Sequence, residues 1–370
     1  MNGYKIKFSG IDRLYSKYSW RLTRRAKEVW QTGQFLQGSN QTQLEQTLAE
    51  AYERKYAIAV GSATDGLYFA LKSLGLNAQS KIVCPVFSYI ATAGAIKRLG
   101  AKPIFIDVDQ SGNLGSLSVG LNADAVLYAN LFGNLADYNN IKGFCDSRKI
   151  PLIEDAAQSM GAILKKVPSG KLGDISVFSF DPMKNLPSFG TGGMVLTDND
   201  EHYKNIISLR RHGFGTNYEY GYNSLISEDH CNQLLFLFSK FKSLQKKRKE
   251  VANWYFELLP EVKKTTTLGV DLNFIKQKET TGIFRKTTIS SYHKLVLLVD
   301  KRSDLQKHLE SNGIETKIHY KRTLDSNNLG RYPNAEKICN HAISLPIYPF
   351  LKQEEVEYIC KTIKSFYGIR

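Results

Sequence analysis

The chain has 370 residues, of which 42% are hydrophobic and 23% charged. That is enough for two domains, or for one large α/β domain with an appendage, and a core of this size needs no disulfides. The five cysteines, Cys84, Cys145, Cys231, Cys339 and Cys360, stand far apart, which excludes paired-cysteine zinc or redox spacing and points to free thiols in a reducing compartment.

A net charge of +15 and a pI near 9.4 invite a nucleic-acid reading. Lys and Arg are scattered among acids, however, and no helix-turn-helix or RNA-binding motif supports it. A basic surface equally suits a substrate carrying a diphosphate. The N-terminal segment MNGYKIKFSGIDRLYSKYSW has no apolar signal core, and no stretch approaches the ~20 apolar residues of a membrane span. A cytoplasmic protein without membrane insertion is expected.

In chain order, residues 10–55 are mostly helical in pattern and read as an arm. Seven short apolar runs follow: 57-AIAV, 81-KIVCPV, 103-PIFIDV, 125-AVLYANL, 151-PLIEDA, 175-ISVFSF and 193-GMVLT. Segments with helical spacing, such as 65-DGLYFALKSLG and 91-ATAGAIKRLGA, separate them. This alternation predicts an α/β fold with a mainly parallel sheet flanked by helices, and places chemistry at the strand ends. Residues 230–259 read as one long helix. Its basic run 245-QKKRKE-250 reads as a solvated face. Beyond it come a strand, 293-HKLVLLV, and helices at 303-SDLQKHLESNG and 353-QEEVEYICKTIKSF. The expected organisation is an N-terminal arm and large domain over 1–240, then the long helix and a smaller α+β domain over 241–370.

Four segments carry candidate chemistry. In 152-LIEDAAQSMGA a buried strand ends in Asp155, a costly position unless the carboxylate is paired. It could face a cationic heterocyclic nitrogen, or simply cap a turn. In 173-GDISVFSFDPMKNLPSFGTGGMVLTD a strand ends at Ser179, a turn with Pro182 presents Lys184, and Gly192-Gly193 opens the next strand. A lysine between two apolar strands can have its pKa lowered and act as a nucleophile, whereas most turn lysines are solvated. In 60-VGSATDGLYFALKSLG small residues and Thr64 lead into a helix. Its start offers N–H groups to an anion, or is an ordinary turn capped by Thr or Asp. In 84-CPVFSYIATAGAI, Tyr89 follows a strand end and could stack on a flat ligand or fill the core.

Together these segments, with 99-LGAKPIFIDVD, 128-YANLFGNLADY, 190-GTGGMVLTD, 221-GYNS, 313-GIETKIHY and 344-SLPIYPFL, run in order over about residues 28–365. The set resembles the DegT/DnrJ/EryC1/StrS family of sugar aminotransferases that use pyridoxal 5'-phosphate (PLP). The resemblance implies the aspartate-aminotransferase-like fold type I. It implies Lys184 as the lysine that holds the cofactor covalently and then moves the proton, and Asp155 as the acid facing the ring nitrogen. Gln158 would contact the phenolic oxygen, Tyr89 would stack on the ring, and Ala63, Thr64 and Ser179 would hold the phosphate. Asn223 would reach the phosphate of a neighbouring subunit, which implies a homodimer with shared active sites. His319, Tyr320 and Lys321 fall at the substrate side. No metal is implied.

Three positions depart from the family pattern. Asp181 stands where His is usual, Leu225 where Arg often follows the GYN segment, and Lys321 where Pro often follows His-Tyr. These bear on substrate contacts more than on the cofactor, and Lys321 or Arg322 could compensate for the absent arginine. Lys184 argues against the related branch that has His there and performs dehydration.

The resemblance implies transfer of an amino group, with glutamate as donor, to a nucleotide-linked keto-sugar. The 184-KNLPSFGTGG and 221-GYNS segments favour C3 of a dTDP-3-keto-6-deoxyhexose. The alternatives are C4 of a UDP- or GDP-linked 4-keto-6-deoxy sugar, or a catalytically silent regulator on the same fold. The amino sugar would enter a surface polysaccharide such as lipopolysaccharide O-antigen, or a glycosylated metabolite.

Overall fold

All seven apolar runs are strands of one sheet in the computed structural model, which describes residues 3–215, 220–259, 288–328 and 330–368. They are β1 (Tyr56–Val60), β2 (Lys81–Pro85), β3 (Lys102–Ile106), β4 (Ala125–Ala129) and β5 (Leu152–Asp155), then, after the two-residue β6 (Ile163–Leu164) and β7 (Val167–Pro168), β8 (Ile175–Ser179) and β9 (Gly193–Thr197). The strand order is β1-β9-β8-β5-β4-β2-β3. Strands β4, β8 and β9 are buried along their whole length, which is why they read as unbroken apolar runs. Strand β9 is antiparallel to both β1 and β8. No helix intervenes between β8 and β9, and adjacent strands joined without a crossover helix must reverse direction.

Helices α1 (Ile11–Thr32) and α2 (Ser39–Ala51) form the arm and pack with Leu234 and Leu237 of the long helix around Leu22, Leu44 and Leu48. Glu228 caps α2 from outside the helix: its carboxylate accepts from the backbone N–H of Gly38 at 2.8 Å, Asn40 at 2.9 Å and Gln41 at 3.0 Å, satisfying donors that a helix start leaves free. The remaining helices of this half are α3 (Ala63–Ser73), α4 (Ile90–Arg98), α5 (Tyr138–Arg148) and α6 (Asp200–Leu209).

The long helix α7 (Glu228–Leu258) serves two cores. Its first half packs on Phe178 and Phe180. Its second half brings Val251 and Tyr255 to a C-terminal cluster with Leu297, Leu305, Ile343 and Ile359, each such burial contributing about 1.5–3 kcal/mol. The division at residue 240 therefore falls inside α7. The C-terminal part adds β10 (Thr288–Ile289), β11 (Leu295–Leu298), α8 (Arg302–Ser311), α9 (Pro333–His341), β12 (Ala342–Leu345) and α10 (Gln353–Tyr367). β11 pairs antiparallel with β12, while β10 joins β6 and β7 in a small sheet.

The solvated reading of 245-QKKRKE-250 needs one correction. Lys246, Lys247 and Lys249 are exposed, but Arg248 is buried and donates to the Ile347 carbonyl at 2.8 Å. On α7 it lies one turn from Leu244 and shares its inward stripe.

Candidate active site

The turn from β1 to α3 is capped by Ser62, whose hydroxyl accepts from the Asp65 N–H at 3.1 Å. Neither Thr64 nor Asp65 is the cap. Asp65 instead accepts from Arg98 at 2.6 Å and from the Ser224 hydroxyl at 2.7 Å. Ala63 and Thr64 take the first two helical positions, where backbone N–H groups have no intrahelical acceptor. Gly193 lets β9 start directly against this turn: a Cβ there would lie 2.7 Å from the Ala63 nitrogen and 2.8 Å from the Ser62 carbonyl carbon. Ser179, at the end of β8, faces the same cavity, and its hydroxyl accepts from Asp181 N–H at 3.3 Å.

Asp155 ends β5 and is buried. It accepts from the Thr92 hydroxyl at 2.8 Å and from the Ala157 N–H at 3.2 Å. The second bond is the turn-capping one; the first is not local. Burial raises its pKa, and the Thr92 bond only partly opposes this. It forms no ion pair among the described residues, and Lys184 acts on it only from longer range.

Lys184 lines the cavity with Asp155. Its turn is fixed by the Lys184 N–H donating to the Asp181 carbonyl at 2.9 Å and by the Asn185 amide donating to the carbonyls of Met160 at 3.2 Å and Ser291 at 3.0 Å. Burial lowers the Lys184 pKa, against the pull of Asp181 and Asp155.

Gln158 accepts from the Phe132 N–H at 3.1 Å and donates to the Tyr320 hydroxyl at 3.0 Å. That bond ties the β5 end to the C-terminal part. Burial of Tyr320 raises its pKa. The Tyr89 and Tyr320 rings stand 6.2 Å apart. His319 pairs its Nδ1 with the Ser344 hydroxyl at 2.8 Å, and burial pushes its pKa down to about 2, leaving it neutral. Ala63, Thr64, Tyr89, Asp155, Gln158, Ser179, Lys184, His319 and Tyr320 thus line one cavity of about 370 Å³.

Asn223 and Lys321 do not line that cavity. Asn223 is exposed and bridges to Arg211; Lys321 and Arg322 are exposed as well. Asp181 does line it. The lining residues that the sequence does not single out include Ser62, Ser88, Asn130 and Thr191, and one that is charged. Lys294, just before β11, borders the cavity beside Lys184. A lone lysine at the head of an apolar run carries no signal that separates it from a surface residue.

The donor set suits a phosphorylated, cationic heteroaromatic ring. Free helix N–H groups and the Ser179 hydroxyl suit the phosphate; Asp155 suits a protonated ring nitrogen; Lys184 suits an aldehyde. This cavity at the strand ends of a mostly parallel sheet defines a PLP-dependent enzyme of fold type I. The chain belongs to the DegT/DnrJ/EryC1/StrS aminotransferase family, whose model matches residues 19–364.

It is 30% identical to the pleiotropic regulatory protein of Geobacillus stearothermophilus, over 96% of this chain and 97% of that protein. It is 29% identical to the UDP-2-acetamido-2-deoxy-3-oxo-D-glucuronate aminotransferase of Pseudomonas aeruginosa, over 97% and 100%. The fold matches ntda of Bacillus subtilis with bound cofactor PMP at a TM-score of 0.85 and 25% identity, over 98% and 86% of the two chains. The protein is a sugar aminotransferase, and its cofactor is PLP. Among the described residues, no helix is long and apolar enough to cross a membrane.

Proposed function

We propose that this enzyme moves an amino group from glutamate to the ketone of a nucleotide-linked sugar, at C3 of a dTDP-3-keto-6-deoxyhexose. The observation that carries the transamination is the pairing, in one cavity, of a buried under-partnered carboxylate, Asp155, with a lysine of lowered pKa, Lys184. When bound, PLP supplies the electron sink. Asp155 holds the proton on the ring nitrogen. Lys184 Nζ takes and returns the migrating proton as general base and acid. Gln158, fixed by Phe132 and Tyr320, orients the ring's oxygen edge, and neutral His319 leaves the substrate side without added charge.

The C3 assignment rests on the loop after Lys184 and on 221-GYNS; the 3-oxo substrate in the name of the Pseudomonas relative agrees with it. C4 amination of a UDP- or GDP-linked sugar is the second reading. The name of the Geobacillus relative raises a regulatory role, against which Lys184, Asp155 and Gln158 stand together in the cavity.

A homodimer completes the site in this reading. Tyr89 lines the cavity yet is 53% exposed, with Ile90 beside it at 64%, and a second copy bringing Asn223 would cover this opening.

The test is an absorbance spectrum of the purified protein and of Lys184→Ala, each before and after glutamate, followed by a screen of dTDP-3-keto and UDP-4-keto sugars. The wild type should show a visible band that glutamate bleaches, and Lys184→Ala should lack the lysine-bound band. A protein that stays colourless with added PLP would sink the reading. Turnover of only the 4-keto sugars would move the reaction to C4.

A further inference from the structure

A second, smaller cavity of about 50 Å³ adjoins the first, and the two share Met183, Lys184 and Lys294 as a wall. It has room for only a few water-sized groups. Three cationic side chains border it: Lys184, Lys294 and Arg248. Arg248 is buried and, among the described residues, donates to a carbonyl, that of Ile347 at 2.8 Å, and joins no ion pair. Lys294 has an aromatic neighbour, with its Nζ 5.3 Å from the Phe8 ring centre, and it joins no ion pair among the described residues. His293, 3% exposed, also borders the cavity; its Nδ1 meets Asn185 at 3.2 Å, while its Nε2 has no partner among the described residues. The acid with electrostatic reach of Lys294 is Asp181, which sits on the exposed side of the Lys184 turn.

A positive charge in such a place is costly unless an anion joins it. Consistent with that, burial, Lys184 and Arg248 push the Lys294 ammonium down to about 7. Once the cofactor occupies Lys184 and Asp155, Lys294 is the cation left over on the common wall. A space of this size, bordered by three cationic side chains, suits one carboxylate group.

We propose that Lys294 is a substrate-binding residue that receives a carboxylate in this small cavity beside Lys184. The inference rests on the aminotransferase reading, which brings carboxylates to the site from two sources. One is the dicarboxylic amino donor; the other is an acidic sugar acceptor. In either case Lys294 sets specificity by charge, and a neutral side chain there would leave the carboxylate desolvated without a partner.

The probe is glutarate, a dicarboxylate without an amino group, titrated into the holoenzyme by calorimetry. Wild type should bind it, and Lys294→Met should weaken binding about 10- to 100-fold, the range for losing a charge-assisted hydrogen bond. The visible cofactor band and the affinity for dTDP should stay unchanged, and Lys246→Met, at an exposed lysine of α7, should bind as wild type. Lys294→Gln serves if the Met variant fails to fold. Weaker glutamate binding in the isolated first half-reaction would assign the carboxylate to the donor. Loss confined to acidic over neutral sugar nucleotides would assign it to the acceptor. Glutarate affinity unchanged in both variants, no glutarate binding by wild type, or an equal loss for dTDP would overturn the proposal. If wild type fails to take the amine from glutamate, the aminotransferase reading fails, while the glutarate titration still reports on Lys294.

Discussion

Replacing Asp155 with Asn should separate the cost of the empty site from the value of the filled one. In the chain alone, the Asp155 carboxylate is buried with two hydrogen bonds and no cation within ion-pair reach. Its folded pKa is raised by that burial. The folded state therefore binds this proton more tightly than the unfolded chain, and stability falls as pH rises from the unfolded carboxylate value near 3.9 through the raised folded one. Asn removes this penalty and keeps an oxygen for Thr92 or Ala157, so the cofactor-free variant should melt no lower than wild type at neutral pH. The cofactor-bound form should behave in the opposite way. Removing one partner of a buried ion pair costs about 3–5 kcal/mol, which corresponds to roughly 10²- to 10⁴-fold in rate or affinity. Much of the melting-temperature rise that PLP gives wild type should then vanish, since ligand stabilisation scales as RT ln(1 + [L]/Kd). Differential scanning calorimetry with and without PLP, beside kcat/KM for glutamate, measures both halves. A variant with wild-type kcat/KM and an intact PLP-induced shift would refute the assignment of Asp155 to a cation.

Two further outcomes follow from the same geometry. Gly193→Ala places a Cβ 2.7 Å from the Ala63 nitrogen, so the β1–α3 turn must move; PLP affinity measured by fluorescence quenching should fall about tenfold or more while the far-ultraviolet circular dichroism is kept, and unchanged affinity would remove this turn from phosphate binding. Because burial lowers the Lys184 pKa, its amine is free at lower pH than an ordinary lysine; the rate of PLP capture by the cofactor-free enzyme in stopped flow should plateau below pH 10.5, and a rate still climbing through that value would contradict it.

How much of this was legible in the sequence depended on how completely each element is buried. The sheet strands stood out as short, mostly apolar runs, most plainly β4, β8 and β9, which are buried along their whole length. That same uniformity hid the reversal of β9, since a strand buried on both faces reads alike in either direction. The helices α5, α6 and α9 and the strands β6, β7, β10 and β12 are not legible in the sequence pattern. α9 starts with Pro333 at its first turn and runs straight into β12, leaving no turn residues to mark a boundary. Within the cavity, the residues at strand ends and helix starts were readable by position. Lys294 was not, because its distinction is a place beside Lys184 and Arg248 without an ion pair among the described residues, a property of three dimensions.

Strand β5 shows why residue type alone cannot assign such roles. Glu154 and Asp155 are adjacent acids on one buried strand and point to opposite faces of the sheet. Glu154 is fully buried, and its oxygens accept from the Asn130 amide, the hydroxyls of Ser169 and Ser176, and the backbone N–H groups of Gly170 and Leu172. Its charge is spent within the protein, holding β5 to the loop ahead of β8. Asp155 keeps only a threonine hydroxyl and one N–H, on the face that opens into the cavity. The saturated acid fixes the strand, and a fixed strand is what holds the unsaturated one in place for a cation that no ion pair among the described residues supplies.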